Sequence, residues 1–179
     1  MCSKELKSEE LKEMSLQSPE CRALKIYIAG PDVFAPDAIS LGRSMCDAVR
    51  NAGYIPLFPL DNEIDAASDA DLSKQIFIGN IAMIQDCDIV LANLNFFRGF
   101  EPDSGTCWEV GYAFALGKKI VGYLGDARPM VDKICTENGW RVEDFGLPLN
   151  LMLCHGSFKI VQGGFFAALT SLESGGQNA

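Results

Sequence analysis

Histidine is almost absent from this 179-residue chain; His155 is the only one. Cysteine is present but unpatterned. The seven thiols (Cys2, Cys21, Cys46, Cys87, Cys107, Cys135 and Cys154) are odd in number and form no C-x-x-C pair. Neither a zinc cluster nor a disulfide framework is expected, and the cysteines read as reduced, mostly core-filling residues. Basic residues are in deficit: 15 Lys and Arg stand against 24 Asp and Glu, a net charge of -9. Polymeric nucleic acid and anionic membrane both select a basic face, so neither is an expected partner. No apolar run approaches the ~20 residues of a membrane-spanning helix. The N-terminus is charged and lacks an apolar leader core, so a cytoplasmic location is expected. G-x-G-x-x-G and G-x-x-x-x-G-K-[ST] are both missing, which argues against a dinucleotide oxidoreductase and a P-loop NTPase. No internal repeat is visible.

What is present is a hydrophobic content of 48%, enough for one compact domain. Residues 1–22 are polar and helix-prone up to a break at Pro19, and read as an appended arm; residues 23–179 read as a single domain. Within it, apolar strands are expected at 24–29, 54–58, 88–94 and 119–124. Helices are expected at 37–52 (Ile39, Leu41, Met45, Val49), at 73–85 (Ile76, Ile78, Ile81, Ile84), at 104–116 and at 158–172. Residues 126–146 read as irregular, and 149–154 as a short apolar piece. Near-continuously apolar strands alternating with helices predict an α/β fold: a three-layer αβα sandwich, Rossmann- or flavodoxin-like, around a mostly parallel five-stranded sheet. Ligands in such folds sit beyond the carboxyl ends of the strands. That singles out Gly30 to Phe34, Asp61-Asn62, and Asn95 to Gly105, with Arg98 the only basic residue between the third strand and Glu109.

The most informative segment is D-S-G-T-C-W-E-V-G-Y-A at 103–113. It places Asp103 at the mouth of a helix and Glu109 six residues on, among apolar and small residues. An acid on an apolar helix face costs free energy unless it is paired, protonated or used. Gly105 lets a ligand approach the backbone, and the helix N-terminus is expected to keep a first-turn glutamate ionised. Carboxylates in this setting suit glycosyl transfer. Its oxocarbenium-like transition state wants a carboxylate under the sugar and a proton for the leaving group. A covalent intermediate would let a second acceptor attack.

Five pieces occur in order: I-Y-I-A-G-P at 26–31, P-L-D-N at 59–62, D-C-D-I-V-L-A at 86–92, D-S-G-T-C-W-E-V-G-Y-A at 103–113 and P-L-N-L-M at 148–152. Together, over about residues 24–155, the chain resembles the nucleoside 2-deoxyribosyltransferase family. The resemblance implies transfer of 2-deoxyribose between nucleobases by double displacement, with 2'-deoxynucleosides and free bases as substrates and no metal or cofactor. It implies Glu109 as the nucleophile, Tyr27 as its hydrogen-bond donor, and Asp103 as a group holding the sugar hydroxyls near the base. It implies Asn150 as a residue donated into a neighbouring subunit's site, and hence a homo-oligomer with a shared active site. Gly30, Phe34, Asp61, Asn80 and Gly105 complete the expected substrate-binding set. Asn80 departs from the family pattern, standing where many members carry an aspartate that helps protonate or orient the base. An amide cannot deliver a proton at neutral pH, which leaves Asp61, Asp86 and Asp103 as nearby acids.

Each residue also has a structural reading. Tyr27 could be a core aromatic, Asp103 an N-cap, Asp61-Asn62 a turn and Asn150 a loop residue. Two other functions fit the same pattern: a deoxynucleoside 5'-monophosphate N-glycosidase, with water as acceptor, and a non-catalytic module that binds nucleotide derivatives.

Overall fold

The computed structural model describes residues 22–61, 71–135 and 139–173. The predicted N-terminal arm, apart from Arg22, and Asn62 lie outside the described residues. Five strands form one sheet: β1 Lys25–Ala29, β2 Ile55–Leu57, β3 Ile89–Asn93, β4 Lys119–Leu124 and β5 Lys159–Gln162. Every pairing is parallel, in the order β2-β1-β3-β4-β5. This is the flavodoxin-like order, whose direction of winding reverses between β1 and β3. The helices are α1 Ala38–Asn51, α2 Leu72–Asp86, α3 Ser104–Ala115, the short α4 Leu151–Gly156, and α5 Phe165–Glu173.

Strand alternation sorts the core into two layers. Ile26 and Ile28 of β1 join Ile89 and Leu91 of β3 on one face, where they pack with Met45, Cys46 and Val49 of α1 and Ala168, Leu169 and Leu172 of α5. Tyr27 and Ala29 point the other way, with Val90 and Ala92, toward Ile84 of α2, Val110 and Ala113 of α3, and Leu153 of α4. That two-residue period is why Tyr27 faces the α2–α3 layer. The start of β1 is fixed to β3 by Asp88, whose carboxylate accepts from the Lys25 backbone N–H at 2.9 Å and pairs with Arg22.

Three expectations are corrected. The final helix predicted at 158–172 is a strand followed by a shorter helix: β5 at Lys159–Gln162 supplies the fifth strand, and Gly163, with φ 141, turns the chain into α5. K-I-V-Q carries no period-two alternation, its two apolar residues being adjacent, and it runs directly into the helical spacing of Phe165, Ala168 and Leu172. The apolar piece at 149–154 is largely helix α4, N-capped by Asn150. Of the apolar residues expected to anchor α2, Ile84 enters the core, whereas Ile76 and Ile78 are exposed; Ile39 of α1 is exposed too.

Candidate active site

At the carboxyl ends of β1 and β2, a cavity of about 340 Å³ opens against α2 and α3. Such a volume suits a small organic molecule. Glu109 and Asn80 form its polar floor. Asp103, Gly105 and Thr106 line one side, and Gly30, Phe34 and Leu60 belong to the other walls. Six residues expected from the sequence therefore meet here: Gly30, Phe34, Asn80, Asp103, Gly105 and Glu109. Tyr27 lies beneath them, fully buried, its hydroxyl donating to Glu109 Oε1 at 2.7 Å. Asn80 Nδ2 donates to the same oxygen at 3.4 Å.

The helix that carries Glu109 is set by its cap. Asp103 Oδ2 accepts from the Thr106 backbone N–H at 2.9 Å and the Thr106 hydroxyl at 3.1 Å. These bonds satisfy donors that a helix start leaves open. Asp103 is thus both cap and cavity wall, and Oδ1 takes no part in either cap bond. Gly30 is small for a measurable reason. A Cβ there would stand 2.6 Å from Asp32 Oδ2 and 2.7 Å from Asn93 Cβ, so a side chain would push apart the ends of β1 and β3.

Glu109 lies in the second turn of α3, not the first, and the helix terminus does not keep it acidic. Burial pushes its carboxyl up to about 7, while the Tyr27 hydrogen bond opposes the rise; the Asp103 charge adds to it and the Asn80 amide opposes it. The desolvation cost of a charge under apolar walls outweighs one strong hydrogen bond and the remains of the helix dipole, which fades beyond the first turn. Burial and the Glu109 carboxylate raise the Tyr27 hydroxyl far above its usual range. Tyr27 is therefore a fixed donor at any physiological pH, and the shared proton belongs to its oxygen.

Two expected residues stand apart. Asp61 ends the turn Pro59–Asp61 and is not among the cavity's lining residues; its Oδ2 accepts a long 3.9 Å contact from the Cys46 thiol. Asn150 caps α4, accepting from the Met152 N–H at 3.0 Å, while its amide donates to Glu143 Oε1 at 2.7 Å. Asn150 does not line the cavity of its own chain. Leu149 and Leu153 on either side of it fill this chain's own core, whereas Met152 is exposed.

The cavity also includes Val33, inside the Gly30-to-Phe34 stretch singled out after β1, and Thr106 beside Gly105, together with Pro59, Leu60 and Ile76, which were not among the expected binding residues. Of those three, Pro59 and Leu60, beside Asp61 in P-L-D-N, carry a signal, as residues that follow a strand. A second cavity, of about 350 Å³, lies beyond β3 and β4 between Asn95, Phe96, Asp126, Arg128 and Lys133. Asn95, Phe96 and Phe100 of the stretch singled out after β3 line it, but none of the residues that the family resemblance implies does. Among the described residues, no helix is long and apolar enough to cross a membrane.

Comparison with known proteins bears on the family and the fold. A family model described as nucleoside 2-deoxyribosyltransferase matches residues 26–152. The structure is similar to a 2-desoxiribosyltransferase from Leishmania mexicana, with 39% identity and a TM-score of 0.71, over 84% of this chain and 97% of that one. It shares its fold with a 2-deoxyribosyltransferase from Bacillus psychrosaccharolyticus, at 20% identity and a TM-score of 0.54, over 83% of this chain and 90% of that one. An uncharacterized protein of Schizosaccharomyces pombe is 31% identical over 113 residues. That match takes in 61% of this chain and about half, 54%, of the yeast protein's length. With the matched region running from β1 through the cap of α4, and with a buried tyrosine and an N-capped helix converging on one glutamate, the chain belongs to the nucleoside 2-deoxyribosyltransferase family.

Proposed function

We propose that this protein transfers 2-deoxyribose from a 2'-deoxynucleoside to a free nucleobase through a covalent ester on Glu109. The observation that carries this reading is the placement of Glu109: a carboxylate at the floor of a cavity of suitable size, aimed by a buried tyrosine that cannot take its proton. In the first half-reaction a Glu109 oxygen attacks C1' of the sugar. The C1'–N bond breaks, its electron pair leaves with the base, and the base takes up a proton from solvent. In the second, a ring nitrogen of the incoming base attacks C1'. The ester C–O bond breaks, returning its pair to the Glu109 carboxylate, and the new base loses its N–H proton to solvent. Two displacements at one carbon preserve its configuration. The exchange consumes a preformed nucleoside and a free base, which makes it a salvage reaction.

The same reading assigns the other polar groups. Tyr27 holds Oε1, leaving Oε2 to attack. Asp103, with one oxygen committed to the helix cap, offers the other to the sugar. Asn80 orients the base or the carboxylate but supplies no proton. Asn150 serves the cavity of a second subunit, so that the working enzyme is a homo-oligomer. The exposed Met152 beside it and its absence from its own chain's cavity support that assignment.

The test is to incubate the protein with deoxyinosine, with and without cytosine. Formation of deoxycytidine only when cytosine is present is the expected result. Release of hypoxanthine without deoxycytidine would make water the acceptor and the protein a hydrolase. No turnover with any deoxynucleoside would leave a binding module.

A further inference from the structure

The cavity's lining includes two carboxylates and an amide, but no lysine or arginine among the described residues. A cation stands at its rim instead. Phe34, which lines the cavity after β1, stacks on Phe97 after β3, with centroids 5.7 Å apart and planes at 16°. The Arg98 guanidinium lies over both rings, its Cζ 5.1 Å from the Phe34 centroid and 4.5 Å from that of Phe97. These residues come from the loops after adjacent strands β1 and β3, where the winding reverses and ligands of this fold class bind. The loop is held in this shape by a 2.9 Å bond from the Phe97 N–H to the Glu101 carbonyl. Arg98 itself takes a left-handed backbone, φ 56, the one non-glycine residue to do so among the described residues. A long side chain pays for that conformation with steric strain, and such strain concentrates where a loop serves a ligand.

We propose that Arg98 contacts the nucleobase and selects bases bearing a ring carbonyl on the edge remote from the sugar. This rests on the deoxyribosyl-transfer reading above. Phe34, 58% exposed, offers an aromatic face for a planar base to pack against. A guanidinium braced on that ring presents N–H donors and no acceptor. It hydrogen-bonds a carbonyl oxygen and has nothing to accept from an amino group. The contact also strengthens as the C1'–N bond breaks. The bond's electron pair moves into the base and spreads onto the carbonyl oxygen, where the Arg98 donors meet growing negative charge. Arg98 keeps its protons throughout. Its role therefore complements Asn80, which lacks a proton to give.

The test compares pairs that differ at that edge alone: deoxyinosine against deoxyadenosine, and deoxyuridine against deoxycytidine. Wild-type kcat/KM is expected to favour the carbonyl member of whichever pair is turned over. Arg98→Ala should lower kcat/KM for that member about tenfold or more, while the amino member changes by no more than about twofold, as loss of a charge-assisted hydrogen bond implies. If Arg98→Ala does not fold, Arg98→Lys, which keeps a cation on the rings without the planar fork, is read by the same ratio. An equal fall for both members would make Arg98 a brace for the loop and overturn the proposal. So would an unchanged ratio. Wild-type protein that turns over no nucleoside would overturn the transfer reading itself, and the assignment of Arg98 with it.

Discussion

The Tyr27 hydroxyl donates to Glu109 Oε1 across 2.7 Å, joining a strand and a helix 82 residues apart in sequence. The bond favours the charged form of the glutamate, opposing the burial that disfavours it. Tyr27→Phe removes that support without changing the ring. The carboxyl should then rise further above 7, and the acid limb of the kcat/KM profile should move to higher pH. At its plateau, activity should fall by about tenfold, from loss of one hydrogen bond to a charged group. A pH-rate profile of the variant shows both effects. An unmoved limb would mean that the Tyr27 hydroxyl does not tune Glu109.

The wild-type profile carries its own signature. With Glu109 as the proposed nucleophile, attack requires its ionised form, so kcat/KM should rise with pH and level off above about 7, where its carboxyl is placed. An acid limb near the ordinary glutamate range would contradict that placement.

The same shift sets a cost in stability. The folded carboxyl titrates near 7, above its unfolded value of 4.5, so the folded state holds the proton more tightly. Stability from this group is fully present below about 4.5 and is lost as pH rises through about 7. Glu109→Gln keeps the shape and removes the charge. It should therefore be more stable than wild type at pH 8, by about 1–3 kcal/mol, with the difference shrinking at pH 5. Denaturant unfolding at the two pH values measures this. A variant less stable than wild type at pH 8 would contradict the desolvation argument.

The shared-site assignment of Asn150 is open to complementation. Asn150→Ser keeps a competent helix cap but removes the amide, so the chain should fold while losing activity. Mixed with inactive Glu109→Ala chains under subunit exchange, it should regain activity, because some interfaces then pair an intact Glu109 with an intact Asn150. Mixed oligomers are verified first by differential tagging. Mixed oligomers without activity would place Asn150 outside its neighbour's site.

Much of this was legible in the sequence, because local rules and the fold agreed. The apolar strands and the cap D-S-G-T each show their place in residue type and spacing, and the acid at Glu109 stands out against its apolar neighbours. Tyr27 could be placed under Glu109 only through the family pattern, since no local rule reports a contact across 82 residues. The fifth strand was hidden because K-I-V-Q is short and runs into a helix of similar apolar content. Ile76 read as core on periodicity alone, yet it walls the cavity: a period marks an apolar face without saying whether protein or ligand covers it. The ionisation of Glu109 departs from the helix-terminus expectation for a related reason. The helix terminus is visible in sequence, whereas burial from α2 and β1 is not.

The central claim is that Glu109 is the covalent nucleophile, and the rate of base exchange by Glu109→Ala tests it most directly. With deoxyinosine and cytosine as substrates, and folding verified by circular dichroism, the variant should be slower than wild type by ~10³-fold or more, as expected when a nucleophile is removed. A folded Glu109→Ala protein that exchanges bases at close to the wild-type rate would contradict the account.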